Sequence, residues 1–436
     1  MIAALAAISG VAPATAQTPP APSATVAADP LRMRADTLLA VLAGGGDTGA
    51  IFAPTVLAQL PDAKIRAVSK HLSDGFGAPL AIDSLDVVTP QGARIVVRYQ
   101  RGTVAMNLAI EPAAPHRITG LLVTGTASGE ASLAAVAASI EKLPGVAGFA
   151  LSRLGAGAPQ SLQASKADTD FAIGSAFKLA ILAELIRATN AGERRWDDLV
   201  TLDGKALPGG LYTQKPAGTT VSLRELAQKM ISVSDNSATD ILLKTLGREK
   251  VEAILPVIGW RHAARNRPLM STLDLFTLKG SAGGAFGKRW RELDEAGRRA
   301  LLANDVAATP LSAMDPALFQ RGVPVMLDIE WYASPADLVR TMDWIRRNTE
   351  TGAGAEARTI LAINPGVGPA QAARWSYVGY KGGSEPGVIE MTLLLRGGDG
   401  AWYALAASWN NPAAAVAGER FVALVSRAVD LVAAAR

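Results

Sequence analysis

At 436 residues the chain exceeds one typical domain and implies two or three. An apolar fraction of 49% against 19% charged residues supports a large buried core and excludes wholesale disorder. The 43 basic and 39 acidic side chains leave a net +4, without basic runs or interleaved aromatics, so nothing supports nucleic-acid binding, and the absence of cysteine removes disulfides, thiolate nucleophiles and Cys-based metal sites.

Ile2 to Ala12 is a short apolar run, and Ala14-Thr15-Ala16 before Gln17 fits the small-x-small cleavage pattern of a secretory signal. No Lys or Arg precedes the run, which departs from that pattern. No later stretch reaches the roughly 18 uncharged apolar residues that span a bilayer. The expectation is an exported protein, periplasmic or secreted, with no stable membrane insertion: a signal peptide over 1–16, then a Pro/Ala-rich linker over 17–30.

From Leu31 to Gly77 the apolar spacing is helical, as in LRMRADTLLAVLA and PDAKIRAVSKHLSDGFG. The period then shifts to two, predicting strands at Ile82–Val88, Ala93–Gln100, Val104–Glu111 and Ile118–Thr124. Helices followed by an antiparallel meander predict a small α+β domain over 31–127, with its sheet curling over the helices. Its element order and the closing stretch PHRITGLLV resemble the ketosteroid-isomerase or cystatin-like group. Asp83, Asp86 and His71 are read as solvated polar positions, not as an acid/base set.

A second domain is expected over 128–436. It opens with a helix in ASLAAVAASIEKL and a hairpin from Val146–Leu154 to Gln160–Ala164. A long, mostly helical region follows to about Arg347. Strands return at Ala373–Lys381, Val388–Arg396 and Trp402–Trp409, and a helix over Ala413–Ala435 closes the chain. Early and late strands around a helical block predict one sheet assembled from distant segments, so the whole chain is α+β.

Three short motifs carry the chemistry. Ser175 and Lys178, in FAIGSAFKLAILAELIRA, stand three apart at the opening of an apolar helix, so both lie on one face of its first turn. Ser234-Asp235-Asn236 sits between helical segments, and Lys381-Gly382-Gly383-Ser384 ends a predicted strand. A serine hydroxyl is a poor nucleophile until a neighbouring base takes its proton. A lysine becomes that base when burial and nearby positive charge lower its pKa. Ile173, Phe177 and Leu179 offer apolar surroundings, and Lys381 offers the charge. His71, His116 and His262 lie in no triad context, and no His-x-His or His-Glu-x-x-His string suggests a metal.

Taken in this order, the three motifs resemble the Ser-x-x-Lys, Ser-Asp-Asn and Lys-Thr-Gly set of serine β-lactamases and penicillin-binding proteins, with Lys-Gly-Gly as the third. The resemblance spans 129–436. It implies a class A β-lactamase-like domain, an antiparallel sheet with an all-helical subdomain. It implies Ser175 as nucleophile, Lys178 as base and Ser234 as proton shuttle. Asn236 would orient the substrate amide, and the N–H groups of Ser175 and Ser384 would form the oxyanion hole. Lys381, Gly383 and Ser384 would line the substrate site, the first and last attracting a carboxylate. No cofactor or metal is implied, and the partner is a small molecule: a β-lactam, an ester or a peptide-like compound.

The resemblance breaks at one point. Class A enzymes carry a glutamate after Ser-Asp-Asn that activates the deacylating water, whereas RHAARNRPLMSTLDLFTLKG contains none. Glu292 and Glu295 stand further on, but KRWRELDEAGRRALLAND reads as an amphipathic, salt-bridged helix. This departure, the small first domain and DIEWYASPADLVRTM resemble the two-domain β-lactamase-like proteins of clavulanic acid biosynthesis, with Trp331 and Tyr332 read as structural. The expected activity is weak β-lactam or ester hydrolysis. The alternatives are a D-Ala-D-Ala peptidase and a sensor that stays acylated.

Overall fold

The computed structural model describes residues 29–315 and 317–435. The expected signal segment and nearly all of the linker lie outside them. At the linker's end Pro30 already opens a helix, Pro30–Leu42, capped by Asp29, whose Oδ1 accepts from Leu31 N at 3.0 Å. Among the described residues no helix is long and apolar enough to cross a membrane.

The described residues separate into two compact units. The first comprises the chain up to Ala131 and takes in Ala417–Arg427. Pro30–Leu42 buries Leu31, Ala35, Leu38 and Leu42 on one stripe, and Asp62–Phe76 buries Ile65, Leu72 and Phe76. Four antiparallel strands pair in sequence order: β1 (Pro79–Thr89), β2 (Gly92–Tyr99), β3 (Gly102–Ile110) and β4 (Ile118–Ser128). On β2 the alternation is plain: Ala93, Ile95, Val97 and Tyr99 face the core, and charged Arg94 and Arg98 face away. Asp83 pairs with Arg98 at 2.7 Å, Asp86 is exposed, and His71 pairs with Glu419. These three groups therefore converge on no common point.

The second unit holds a five-stranded antiparallel sheet in the order Tyr377–Glu385, Val388–Arg396, Trp402–Asn410, Val146–Leu154, Gln160–Ser165. Its early strands are β5 (Val146–Leu154) and β6 (Gln160–Ser165). Three short pieces follow: β7 (Phe171–Ala172), β8 (Leu199–Thr201) and β9 (Thr220–Ser222). Then come β10 (Tyr332–Ala333), β11 (Tyr377–Glu385), β12 (Val388–Arg396) and β13 (Trp402–Asn410). β5 pairs with β13, Phe149 opposite Ala407, which joins segments far apart in the chain. Both strands are apolar on both faces, because helices cover the two sides. The helix Lys178–Asn190 is buried almost all round, as an apolar helix without a polar face must be.

Three boundaries differ from the sequence expectation. β11 starts at Tyr377, not Ala373, because Pro369–Ala372 forms a helical turn before it. It also continues to Glu385, since Lys381–Glu385 pair with Val388–Thr392 across a tight hairpin. Lys381-Gly382-Gly383-Ser384 therefore lies inside a strand and not at its end. The last helix opens at Gly418 rather than Ala413, because Asn411 Oδ1 accepts from Ala413 N at 3.0 Å and closes a turn there instead.

Candidate active site

The site is built from a turn, a loop and an edge strand of the second unit. Ser175 lies in a 3₁₀ turn, Gly174–Phe177, that leads directly into Lys178–Asn190. In 3₁₀ geometry residues three apart eclipse, so Ser175 and Lys178 stack on one side. Gly174, at φ +47°, turns the chain into this element, and a Cβ there would sit 3.2 Å from Ser384 N. The first turn of a helix leaves its N–H groups without carbonyl partners, so the Ser175 N–H points out of the ladder. Trp331 stacks flat on Phe177 at 3.7 Å between ring centroids and accepts from Ile173 N at 3.0 Å through its carbonyl, fixing the turn from behind.

Ser234 occupies the break between helices Leu223–Ser232 and Asn236–Leu246, at φ +58°. Such left-handed backbone in a non-glycine residue costs roughly 1–3 kcal/mol and persists only where neighbours enforce it. Asp235 is the enforcer. Its Oδ1 caps Ala238 N at 2.7 Å and accepts from Ser237 Oγ at 2.6 Å, while Oδ2 accepts from Leu211 N at 2.7 Å.

Lys178 is fully buried. Its Nζ lies 2.7 Å from Ser234 O, 3.1 Å from Ser234 Oγ and 2.8 Å from Asn236 Oδ1. Ser175 Oγ has no hydrogen-bond partner among the described residues and is half-exposed. Lys381, 3% exposed on β11, donates to Ser234 Oγ at 3.1 Å and to Gly382 O. Ser234 Oγ thus stands between two lysine nitrogens. Burial, then the Lys381 charge, hold the Lys178 pKa well below the ordinary lysine value, against the opposing pull of Asp240 and Asp235. Burial alone pushes Lys381 down to about 8, with Glu390 opposing.

Gly383 explains its own identity. A Cβ there would lie 2.0 Å from Ile173 O and 2.6 Å from Ser175 N, so only glycine lets β11 approach the serine turn. Ser384, the next residue, is exposed, and its side chain lies on the opposite strand face from Lys381 and Gly383. Asn236 spends its carbonyl oxygen on Lys178, which leaves its amide hydrogens for another acceptor. The structure therefore gathers Lys178, Ser234, Asn236 and Lys381 into one hydrogen-bonded cluster, with Ser175, Gly383 and Ser384 packed along its edge.

Glu292 and Glu295 are exposed and take no part. Their segment forms two short helices, Ala285–Glu292 and Glu295–Leu301, broken where Asp294 caps Gly297 N at 2.8 Å. A different group of charges was not legible in the sequence. Lys279 Nζ lies 2.8 Å from Glu330 Oε1 and 2.7 Å from Glu385 Oε1, sealed from solvent just beyond Ser384. Burial and the neighbouring Glu330 raise the Glu385 pKa well above the usual carboxylate range. Glu330 and Trp331 are adjacent, so the same segment carries the ion cluster and the ring behind the serine turn.

No curated protein matches the chain. Among solved structures it is similar to a β-lactamase from Sphaerobacter thermophilus, at 19% identity and a TM-score of 0.47, covering 69% of this chain and 97% of that one. It is similar to a β-lactamase from Chitinophaga pinensis at 16% identity and a TM-score of 0.44, over 69% and 96% of the two chains. It is also similar to PBP-A at 17% identity and a TM-score of 0.44, over 68% and 94%. The model of the beta-lactamase enzyme family matches residues 131–350, which is half of the chain and includes Ser175, Lys178, Ser234 and Asn236. On that match, this chain belongs to the beta-lactamase enzyme family.

Proposed function

We propose that this protein is an exported serine hydrolase that forms an acyl-enzyme through Ser175 with β-lactams or small esters and amides, and deacylates slowly. The observation that carries the reading is Ser234 Oγ held at 3.1 Å from each of two buried lysines. A neutral Lys178 has one lone pair, so it can take the Ser175 proton as Oγ attacks the substrate carbonyl. Catalytic hydrogen bonds of free enzymes often tighten only once substrate is bound, which accommodates the free Ser175 hydroxyl. As the scissile C–N or C–O bond breaks, Ser234 gives its proton to the leaving atom and is resupplied from Lys178. The N–H groups of Ser175 and Ser384 receive the developing oxyanion, each donor worth roughly 3 kcal/mol in the transition state.

Deacylation lacks an evident base. Glu330 and Glu385 are buried beyond the serine turn and held by Lys279, and Glu390 is buried on β12 opposite Gly383. This favours a second reading, a protein that stays acylated as a sensor would. We read the first unit, helices followed by a four-stranded meander, as similar to the ketosteroid-isomerase and cystatin-like group, and we assign it no reaction. The export assignment rests on Ile2–Ala12 and Ala14-Thr15-Ala16.

Intact-mass spectrometry after mixing with benzylpenicillin tests the reading. Wild type is expected to gain one penicilloyl adduct that Ser175→Ala never shows. An adduct lost within minutes marks a hydrolase, and one persisting for hours marks a sensor. No adduct, together with a chromogenic ester hydrolysed equally by wild type and Ser175→Ala, ends the proposal.

The two lysines also set a pH profile. Lys381 attracts an anionic substrate only while protonated, and it deprotonates around pH 8. Acylation by benzylpenicillin is therefore expected to fall as pH rises through about 8, while a neutral ester lacks this limb. Stopped-flow acylation rates from pH 6 to 10 check this, and an identical limb for both compounds would remove Lys381 from substrate binding.

A further inference from the structure

Three charged groups that take no part in acylation meet beside the serine turn. Lys279 stands in the last turn of the helix Thr272–Gly280, Glu330 precedes Trp331, and Glu385 ends β11. Lys279 Nζ lies 2.8 Å from Glu330 Oε1, and 2.7 and 3.0 Å from the two Glu385 oxygens. Glu330 spends its second oxygen on Trp331 N, at 3.3 Å. The side chains of Lys279 and Glu330 are wholly enclosed, whereas that of Glu385 keeps 9% of its surface open. Glu385 is therefore the member of the cluster that meets solvent.

The strand carries this carboxyl towards the site. β11 pairs with β12 without a break in register from Tyr377 to Glu385, so Lys381, Gly383 and Glu385 project from one face. On that face Lys381 donates to Ser234 Oγ at 3.1 Å, and a Cβ on Gly383 would lie 2.6 Å from Ser175 N. The face thus runs from the Ser234 hydroxyl to the serine turn, and Glu385 stands one step further, about 7 Å along the strand from Gly383. On its other side the turn is held by Trp331, whose carbonyl accepts from Ile173 N at 3.0 Å. Glu330 and Glu385 therefore come from the two segments that flank the turn. A carboxyl at this separation reaches an acyl group on Ser175 through one water rather than by direct contact.

Other buried acids are differently engaged. Glu390 is 1% exposed and takes a hydrogen bond from Thr392 Oγ1. Asp240 accepts from Thr272 N and Leu273 N at 2.7 and 2.9 Å.

We propose that Glu385 is the general base of deacylation, taking a proton from the water that attacks the acyl group on Ser175. The assignment rests on the acyl-enzyme reading and gives its slow second step a residue. The water oxygen bonds to the acyl carbon as its proton passes to Glu385. Collapse of the tetrahedral intermediate breaks the bond from that carbon to Ser175 Oγ, the proton is returned to Oγ, and the carboxylic acid leaves. A carboxyl acts as a base only when ionised. Burial and the Glu330 charge hold Glu385 protonated well above the usual carboxylate range, with Lys279 opposing them. Deacylation is therefore expected to rise with pH as Glu385 loses its proton.

Glu385→Gln keeps the shape and an acceptor for Lys279 but cannot take a proton. Benzylpenicillin is the probe: intact-mass spectrometry follows formation of the adduct, then its loss once excess compound is removed, from pH 5 to 9. The expected result is an adduct lifetime lengthened about 100-fold or more, with adduct formation within about threefold of wild type. Glu330→Gln removes the charge that opposes ionisation of Glu385, so the pH at which deacylation rises should move down. Should Glu385→Gln not fold, the Glu330→Gln profile decides alone. Equal lifetimes in wild type and Glu385→Gln, or a pH limb that Glu330→Gln leaves in place, overturn the assignment. So does a wild-type adduct that forms and is never released, which leaves the acyl-enzyme reading standing. A wild type that forms no adduct refutes that reading and this assignment with it.

Discussion

Lys178→Met is expected to lower acylation of Ser175 by about 10²- to 10⁴-fold, the range typical of losing a positioned base. Methionine keeps the apolar stem that packs among Ile173, Phe177 and Leu179 but carries no titrating nitrogen. The variant leaves Ser234 O and Asn236 Oδ1, on residues that are only half-buried and open to water, without their lysine donor. A modest fall in Tm should therefore accompany the loss of rate. The two effects separate at a temperature where the variant is still folded by circular dichroism. Lys178→Ala should lose as much rate and more stability, because truncation also empties the stem's volume. Labelling by benzylpenicillin at the wild-type rate in either variant would show that Ser175 is activated by something other than this amine.

The largest effect on stability is expected at Lys279. Lys279→Met leaves Glu330 and Glu385 buried without their cation, and breaking a buried ion pair from one side costs roughly 3–5 kcal/mol. For a unit of this size that is a Tm fall on the order of 10 °C. The pH dependence has a defined sign. Glu385, whose folded pKa is raised, binds its proton more readily in the native state than in the unfolded chain, where the value is about 4.3. Stability then falls as pH rises above the unfolded value, so the variant should be closest to wild type near pH 5 and furthest at pH 8. A deficit independent of pH would mean that packing, and not charge, dominates at this cluster. Acylation should also slow, because Glu385 follows Ser384 and Glu330 precedes Trp331, which backs the serine turn.

What the chain discloses by itself is local. Spacing of three within an apolar helix puts Ser175 above Lys178, and period-two stretches locate the strands of both sheets to within a few residues. Motif order is equally readable, since each tripeptide is contiguous. The departures have two kinds of cause. β11 runs through the glycine pair because the distant β12 supplies its ladder, whereas the Trp290 segment breaks in two on a local signal, Asp294 capping a new helix.

The contacts that decide the chemistry join residues brought together only by closure of the fold. Nothing near Lys178 in the chain reveals that its nitrogen faces Ser234 and Asn236 and not the serine three residues away. Nothing around Lys279 announces two carboxylates from separate segments. Gly383 is required because β11 meets the turn of Ser175 at backbone distance, and Gly382 because Tyr380 Oη already fills its side-chain volume. Periodicity determines which side of an element a residue occupies, whereas the identity of its neighbour across that side depends on how distant elements pack.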